Sequence, residues 1–257
     1  MNIANRDFSR GFLPAADPLI ALPEPFAAWE AAAADLSKLL LTNHLRPIIH
    51  ELPPFPLEQL HGERDYWRAA GMLSYMASLY ILGAGIDQPP AERLPAVLAQ
   101  PLVAVADYLH IPPILSYAVQ TMYNWRRIRP DEPTAVGNLT LIQNFLGGMD
   151  EEWFVTLHIN IEAEAGRALQ QLLPLQAAVP QQDHATMEHC LQEIAATLAT
   201  MQALLQRMPE RCDPYIYYHR VRPFMFGWKD NPHMPNGLIY EGVERFQNRP
   251  QKFRGET

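Results

Sequence analysis

Apolar residues along the chain recur mostly at spacings of three and four, the period of an α-helix, rather than in the alternation of a half-buried strand. Phe26–Leu41 carries Trp29, Ala33, Leu36 and Leu40 along one face. Glu63–Leu82 reads as a long, mostly apolar helix, and Pro101–Leu109 as a shorter one that ends before Pro112. Ile114–Arg127 follows, with Pro112 and Pro113 at its start, where a missing N–H is tolerated. Asn138–Phe145 is predicted as a short helix stopping at Gly147-Gly148. Glu151–Ala178 is one long helix that Pro174 kinks or ends early. Asp183–Met208 is a second, with Ile194, Leu198, Met201 and Leu205 in register. Asp213–Arg220 is short, and after Gly227 prolines and glycines permit no long element. No alternating run bounded by hairpin turns stands out. The expectation is an all-α protein, with a smaller N-terminal helical domain over residues 1–148 and a larger long-helix domain over residues 149–257.

Composition narrows the class. Hydrophobic residues make up 48% of the 257, enough for a sizeable core. A formal net charge of −8 leaves no basic face for nucleic acid. The densest basic cluster, Arg126, Arg127 and Arg129, reads as a solvated helix end favoured by the C-terminal dipole. The longest uncharged apolar run, Ala69–Ile86, contains Ser74, Tyr75, Ser78 and Tyr80, so it reads as a buried helix and not a membrane span. Two cysteines, Cys190 and Cys212, make no disulfide framework and fit a reducing cytoplasm. A monomer or weak homo-oligomer is expected.

Chemistry-bearing residues fall in three separated segments: Ile111–Pro130, Asp150–Ala165 and Tyr217–Pro232. Each sets one or two polar groups, Tyr117, His158 or Arg222, into an aromatic and aliphatic wall, the composition of a small-molecule pocket. Phe154 lies four residues before His158 and shares its face. The acidic turn Asp150–Glu152 reads as a complement to the helix dipole rather than a catalytic pair. His184 and His189, five apart, are poorly spaced for joint metal ligation and read as exposed helix surface.

The same segments resemble the indoleamine 2,3-dioxygenase family. The resemblance runs through RGFLPAADPL (Arg10–Leu19), YWRAAGMLSYMASLY (Tyr66–Tyr80), PPILSYA (Pro112–Ala118), NWRRIRPDEP (Asn124–Pro133), GGMDEEWFVTLHINIEAEAG (Gly147–Gly166) and GWKDNPHMPNGLIYEGV (Gly227–Val243). It implies haem b as cofactor, with O2 and L-tryptophan or a related indole as substrates. Oxygen would add across the indole C2–C3 bond to give N-formylkynurenine. The resemblance sets His158 at the distal position, where some members carry serine, as acceptor for the indole N–H. It sets Phe154 against the indole ring, Arg222 on the substrate carboxylate and Tyr117 in the pocket wall. Tyr217 stands where relatives usually have phenylalanine. Gln120 and Thr121 fall at variable lining positions, and Thr257 at a loop residue near the haem edge. The proximal histidine that ligates the iron is expected beyond residue 257, so no metal ligand is assigned within the chain. Two readings stand beside this one: a haem-bound relative with different oxygen chemistry, and a non-catalytic helical remnant.

Overall fold

Long apolar stripes become helices where a neighbour covers them, and shorter ones are rerouted by single side chains. The computed structural model describes residues 7–83 and 89–255. It is 58% helix and 5% strand, an all-α architecture as expected. In chain order come helices α1 (Ala27–Ala34), α2 (Leu36–Leu41), α3 (Leu45–Glu51) and α4 (Glu63–Leu82), strand β1 (Arg93–Leu94) and α5 (Ala96–Leu109). Strands β2 (Trp125–Arg127) and β3 (Leu139–Leu141) follow. The second half holds α6 (Met149–Gln181), α7 (His184–Gln206), the single turn α8 (Pro214–Ile216) and β4 (Ile239–Tyr240). β1 and β4 pair in parallel, with Leu94 opposite Tyr240. β2 and β3 pair antiparallel, with Trp125 opposite Leu141.

Helix α4 matches its expected span and buries most of its length against α5 and its other neighbours. Other expectations need correction. Phe26–Leu41 is broken at Asp35, whose φ of −99° and ψ of 8° leave the helical region and separate α1 from α2. Helix α5 starts at Ala96 and carries Pro101 inside it. Ile114–Arg127 is not one helix: a π-helical turn, Ala118–Met122, gives way to β2. The reason is Trp125. Its indole N–H donates to the Met122 carbonyl at 2.9 Å, and its fully buried ring joins Leu13, Leu139, Leu141, Val155 and Ile159 in a small second core. The neighbouring arginines therefore do not end a helix. Arg127 instead shares Asp17 with Arg10, which ties the N-terminal loop to the sheet.

Asn138–Phe145 is likewise strand and turn. The Asn138 carboxamide accepts from the Arg129 N–H and donates to the Pro133 carbonyl, and so closes the β2–β3 loop. Pro174 neither ends nor splits α6, which continues through Pro180. The α7 stripe Ile194, Leu198, Met201 and Leu205 is helical as read, but the buried residues of α7 are Cys190 and Thr197. The main core runs from Phe26 and Trp29 through Met72, Leu73 and Tyr75 to Trp228 and Tyr240. There the Trp228 indole N–H donates to the Tyr240 hydroxyl, which donates to the Pro113 carbonyl, each at 2.8 Å. This bond pair links the segment after Gly227 to the start of the Pro112–Ala118 segment. No described helix is long and apolar enough to cross a membrane.

Candidate functional site

The site begins with the first turn of α6. Gly148 enters extended, and Glu151 folds back so that its carboxylate accepts from the N–H groups of Phe145 (2.7 Å) and Leu146 (3.0 Å). It is 0% exposed. Burial pushes its carboxyl up to about 7, against the pull of those donors. Glu151 is thus a buried anchor between the Gly147-Gly148 turn and α6, where the sequence suggested only dipole complementation.

One turn on, α6 presents Phe154 and His158. The His158 Nδ1 lies 2.7 Å from the Phe154 carbonyl. A carbonyl only accepts, so Nδ1 carries the proton, and in the neutral ring Nε2 keeps its lone pair. Tyr217 stacks on Phe154 with centroids 3.9 Å apart and planes at 21°. Tyr117 meets His158 edge-on at 6.4 Å, and its hydroxyl donates to Glu162 at 2.8 Å. Burial, then the Glu162 carboxylate, raises the Tyr117 phenol well above its ordinary range, and burial does the same for Tyr217.

Two of the wall segments are π-helical turns, Ala118–Met122 and Tyr217–Val221, rather than α-helix. Such turns are rare and gather at functional sites. The first follows Tyr117 and buries Gln120 and Thr121; the second holds Tyr217 and delivers Arg222 just after it. Gln120 donates its amide to the Met225 sulfur, which bridges the two segments. The Arg222 guanidinium lies over the rings of Tyr218 (5.0 Å) and Phe226 (5.7 Å). Among the described residues no carboxylate lies within ion-pair distance of it. Arg220 is exposed.

These side chains line an open cavity of about 650 Å³, among them Tyr117, Gln120, Thr121, Phe154, His158, Tyr217 and Arg222. The sequence named all of these. The structure adds Met208, Pro209, Cys212, Pro214, Tyr218 and Met225. Met208 continues the three-four spacing of the α7 stripe, a usable signal; Cys212 and Met225 carried none. Burial pushes the Cys212 thiol up to about 11, so it is a neutral wall residue. Thr257 lies outside the described residues. His184 and His189 are exposed on α7 as expected, and the described residues hold no group of three or more metal-ligating side chains.

An apolar, aromatic-walled cavity with an imidazole acceptor and a guanidinium that has no carboxylate partner among the described residues is chemically able to take a flat apolar molecule that carries a donor and an anionic group. Comparison with known sequences names the family. The family model "Indoleamine 2,3-dioxygenase" matches residues 6–257. Indoleamine 2,3-dioxygenase 1 of Rattus norvegicus is 34% identical, covering 93% of this chain and 58% of the relative. Indoleamine 2,3-dioxygenase 2 of Homo sapiens is 34% identical with the same coverages. A 6-hydroxytryptophan 2,3-dioxygenase of Fusarium equiseti is 28% identical over 96% of this chain and 61% of the relative. The chain belongs to the indoleamine 2,3-dioxygenase family, and it spans 58% of the length of the two mammalian relatives.

Proposed function

We propose that this chain contributes the distal wall of a haem dioxygenase pocket that takes tryptophan or a closely related indole together with O2, opening the C2–C3 bond to N-formylkynurenine. The observation that carries the reading is the convergence of Tyr117, Phe154, His158, Tyr217 and Arg222, from three distant segments, on one cavity. The indole lies against Phe154, itself backed by Tyr217. Neutral His158 accepts the indole N–H at Nε2. Arg222 takes the carboxylate, and because no described carboxylate competes for it, its fork is free for a two-point bond. Where the bound ligand displaces water from these apolar walls, both polar contacts are strengthened.

Haem fits the chemistry of this cavity. Met208, Pro214 and Met225 would offer apolar contact to a flat macrocycle, with Thr121 in the same lining. When bound, haem supplies the O2 chemistry, which side chains do not provide. The protein's own work is to bind, orient and keep dry.

Arg222→Ala tests the reading. The haem-loaded protein should lose roughly 2–5 kcal/mol of transition-state binding for tryptophan, because one partner of a desolvated charged pair is removed. Arg220→Ala, at an exposed position, should change kcat/KM little. Tryptamine, which lacks the carboxylate, should be a poor substrate of the parent, and Arg222→Ala should narrow the gap between the two. Equal loss on both substrates makes Arg222 structural. An unchanged kcat/KM for tryptophan removes the clamp from the reading.

A further inference from the structure

Glu162 stands behind the cavity wall, bonded to its Tyr117, and the reading above does not use it. It sits one turn beyond His158 on α6, half-buried, and among the described residues no lysine or arginine pairs with it. A half-buried carboxylate without a cation is steadied by hydrogen-bond donors. Among the described residues its donor is the Tyr117 hydroxyl at 2.8 Å, across 45 residues of sequence. The backbone beneath it is fixed from the other side. Gly11, at φ +63°, is seated on the Glu162 carbonyl so closely that a Cβ there would meet that oxygen at 1.8 Å. A Cβ on Gly166 would meet the Gly11 nitrogen at 2.6 Å. The N-terminal loop therefore seals this turn of α6, and Asp17, gripped by Arg10 and Arg127, holds the loop in place.

The bond has a directional consequence. A tyrosine hydroxyl has one proton and two lone pairs. With that proton committed to Glu162, the oxygen can only accept from whatever else approaches it. His158 is constrained the same way: its Nδ1 proton is committed to the Phe154 carbonyl, and Nε2 accepts. Two ring-borne acceptors thus stand on one wall, their rings edge-on with centroids 6.4 Å apart. An unsubstituted indole offers that wall one donor, its N–H. An indole with a hydroxyl on its benzene ring offers two.

We propose that Glu162 is a positioning residue that sets Tyr117 as a hydrogen-bond acceptor, and that the Tyr117–Glu162 pair gives the cavity a preference for ring-hydroxylated indole amino acids over their O-methyl ethers. The proposal rests on the indole reading of the cavity. Its first half is measurable without ligand, cofactor or turnover.

In the ligand-free protein, selectively labelled tyrosine and histidine NMR signals should show a restrained Tyr117 ring and the Nδ1–H tautomer of His158. Glu162→Ala should free the Tyr117 ring and shift the His158 signals; Glu162→Gln, which keeps an acceptor oxygen, should restore both. Unchanged Tyr117 and His158 signals in a folded Glu162→Ala protein overturn the proposal. For specificity, dissociation constants are measured for 5- and 6-hydroxytryptophan and for their methyl ethers. The parent should favour at least one of the free hydroxyls by about tenfold, the worth of one net hydrogen bond. Glu162→Ala and Tyr117→Phe should each abolish that ratio, and the double variant should lose no more than either alone, as two parts of one interaction. A ratio that survives Glu162→Ala overturns the specificity assignment. If the parent binds no indole saturably, the functional reading fails and the specificity proposal with it, while the NMR signals still decide whether Glu162 positions Tyr117.

Discussion

The first third of α6 and the hairpin that its far end makes with α7 are equally apolar in sequence and opposite in burial. Between Trp153 and Asn160, α6 is enclosed: Val155, Leu157 and Ile159 are buried in the two cores, and Phe154 and His158 face the cavity. Along the hairpin, Leu172, Val179, Leu191, Leu198 and Leu205 are each about half exposed or more. The packing partner explains the difference. The near part of α6 packs against the π-turn Ala118–Met122, β3 and the Tyr217 segment. The hairpin helices, among the described residues, bury mainly the faces they turn to each other, such as Ala178, Cys190 and Thr197. A helical period states which residues share a stripe. It does not state whether anything covers it.

That contrast can be broken by mutation. Leu157→Ala, at a 0% exposed position, should cost roughly 2–5 kcal/mol of stability through lost burial and the cavity left behind, read by urea unfolding. A cost near zero would mean that the near part of α6 is not the rigid half. The next effect is pH-linked and belongs to Glu151. Its carboxyl is raised from 4.5 to about 7 in the folded chain. Between those values the folded state holds a proton that the unfolded state has released, so stability falls as pH rises through the window. The full swing is roughly 3 kcal/mol. Glu151→Gln, neutral at every pH, should flatten that part of the profile, at the cost of setting an amide N–H against one of the two backbone donors. A slope that survives the substitution assigns it to another group. The smallest effect should come from the hairpin. Leu198, 54% exposed, should tolerate Ala within about 0.5 kcal/mol in the same assay. A larger loss would show that the stripe is covered in solution and remove the contrast.

Some parts of the molecule could be read along the chain and others could not. Helix α4 was legible end to end because a twenty-residue apolar stripe has one way to bury itself. The cavity residues were legible because polar groups embedded in aromatic runs are costly unless used, and the resemblance of those runs to one family assigned them roles. Illegible were the strands β2 and β3 and both π-turns. Each was decided by a distant partner: the Trp125 ring by Leu139, Leu141 and Val155, Arg127 by Asp17, and Gln120 by Met225. Local propensity is weak beside such contacts. Glu151 and Glu162 make the point for chemistry. In sequence Glu151 reads as a complement to the helix dipole, and Glu162 carries no reading of its own. Only the tertiary structure buries one beneath two backbone N–H groups and turns the other toward a phenol 45 residues away. Periodicity and side-chain chemistry determined the helical class, the long elements and the inventory of the site. Long-range packing decided which groups lose water, and with it where each proton and charge is held, because desolvation depends on neighbours that no local stretch of sequence contains.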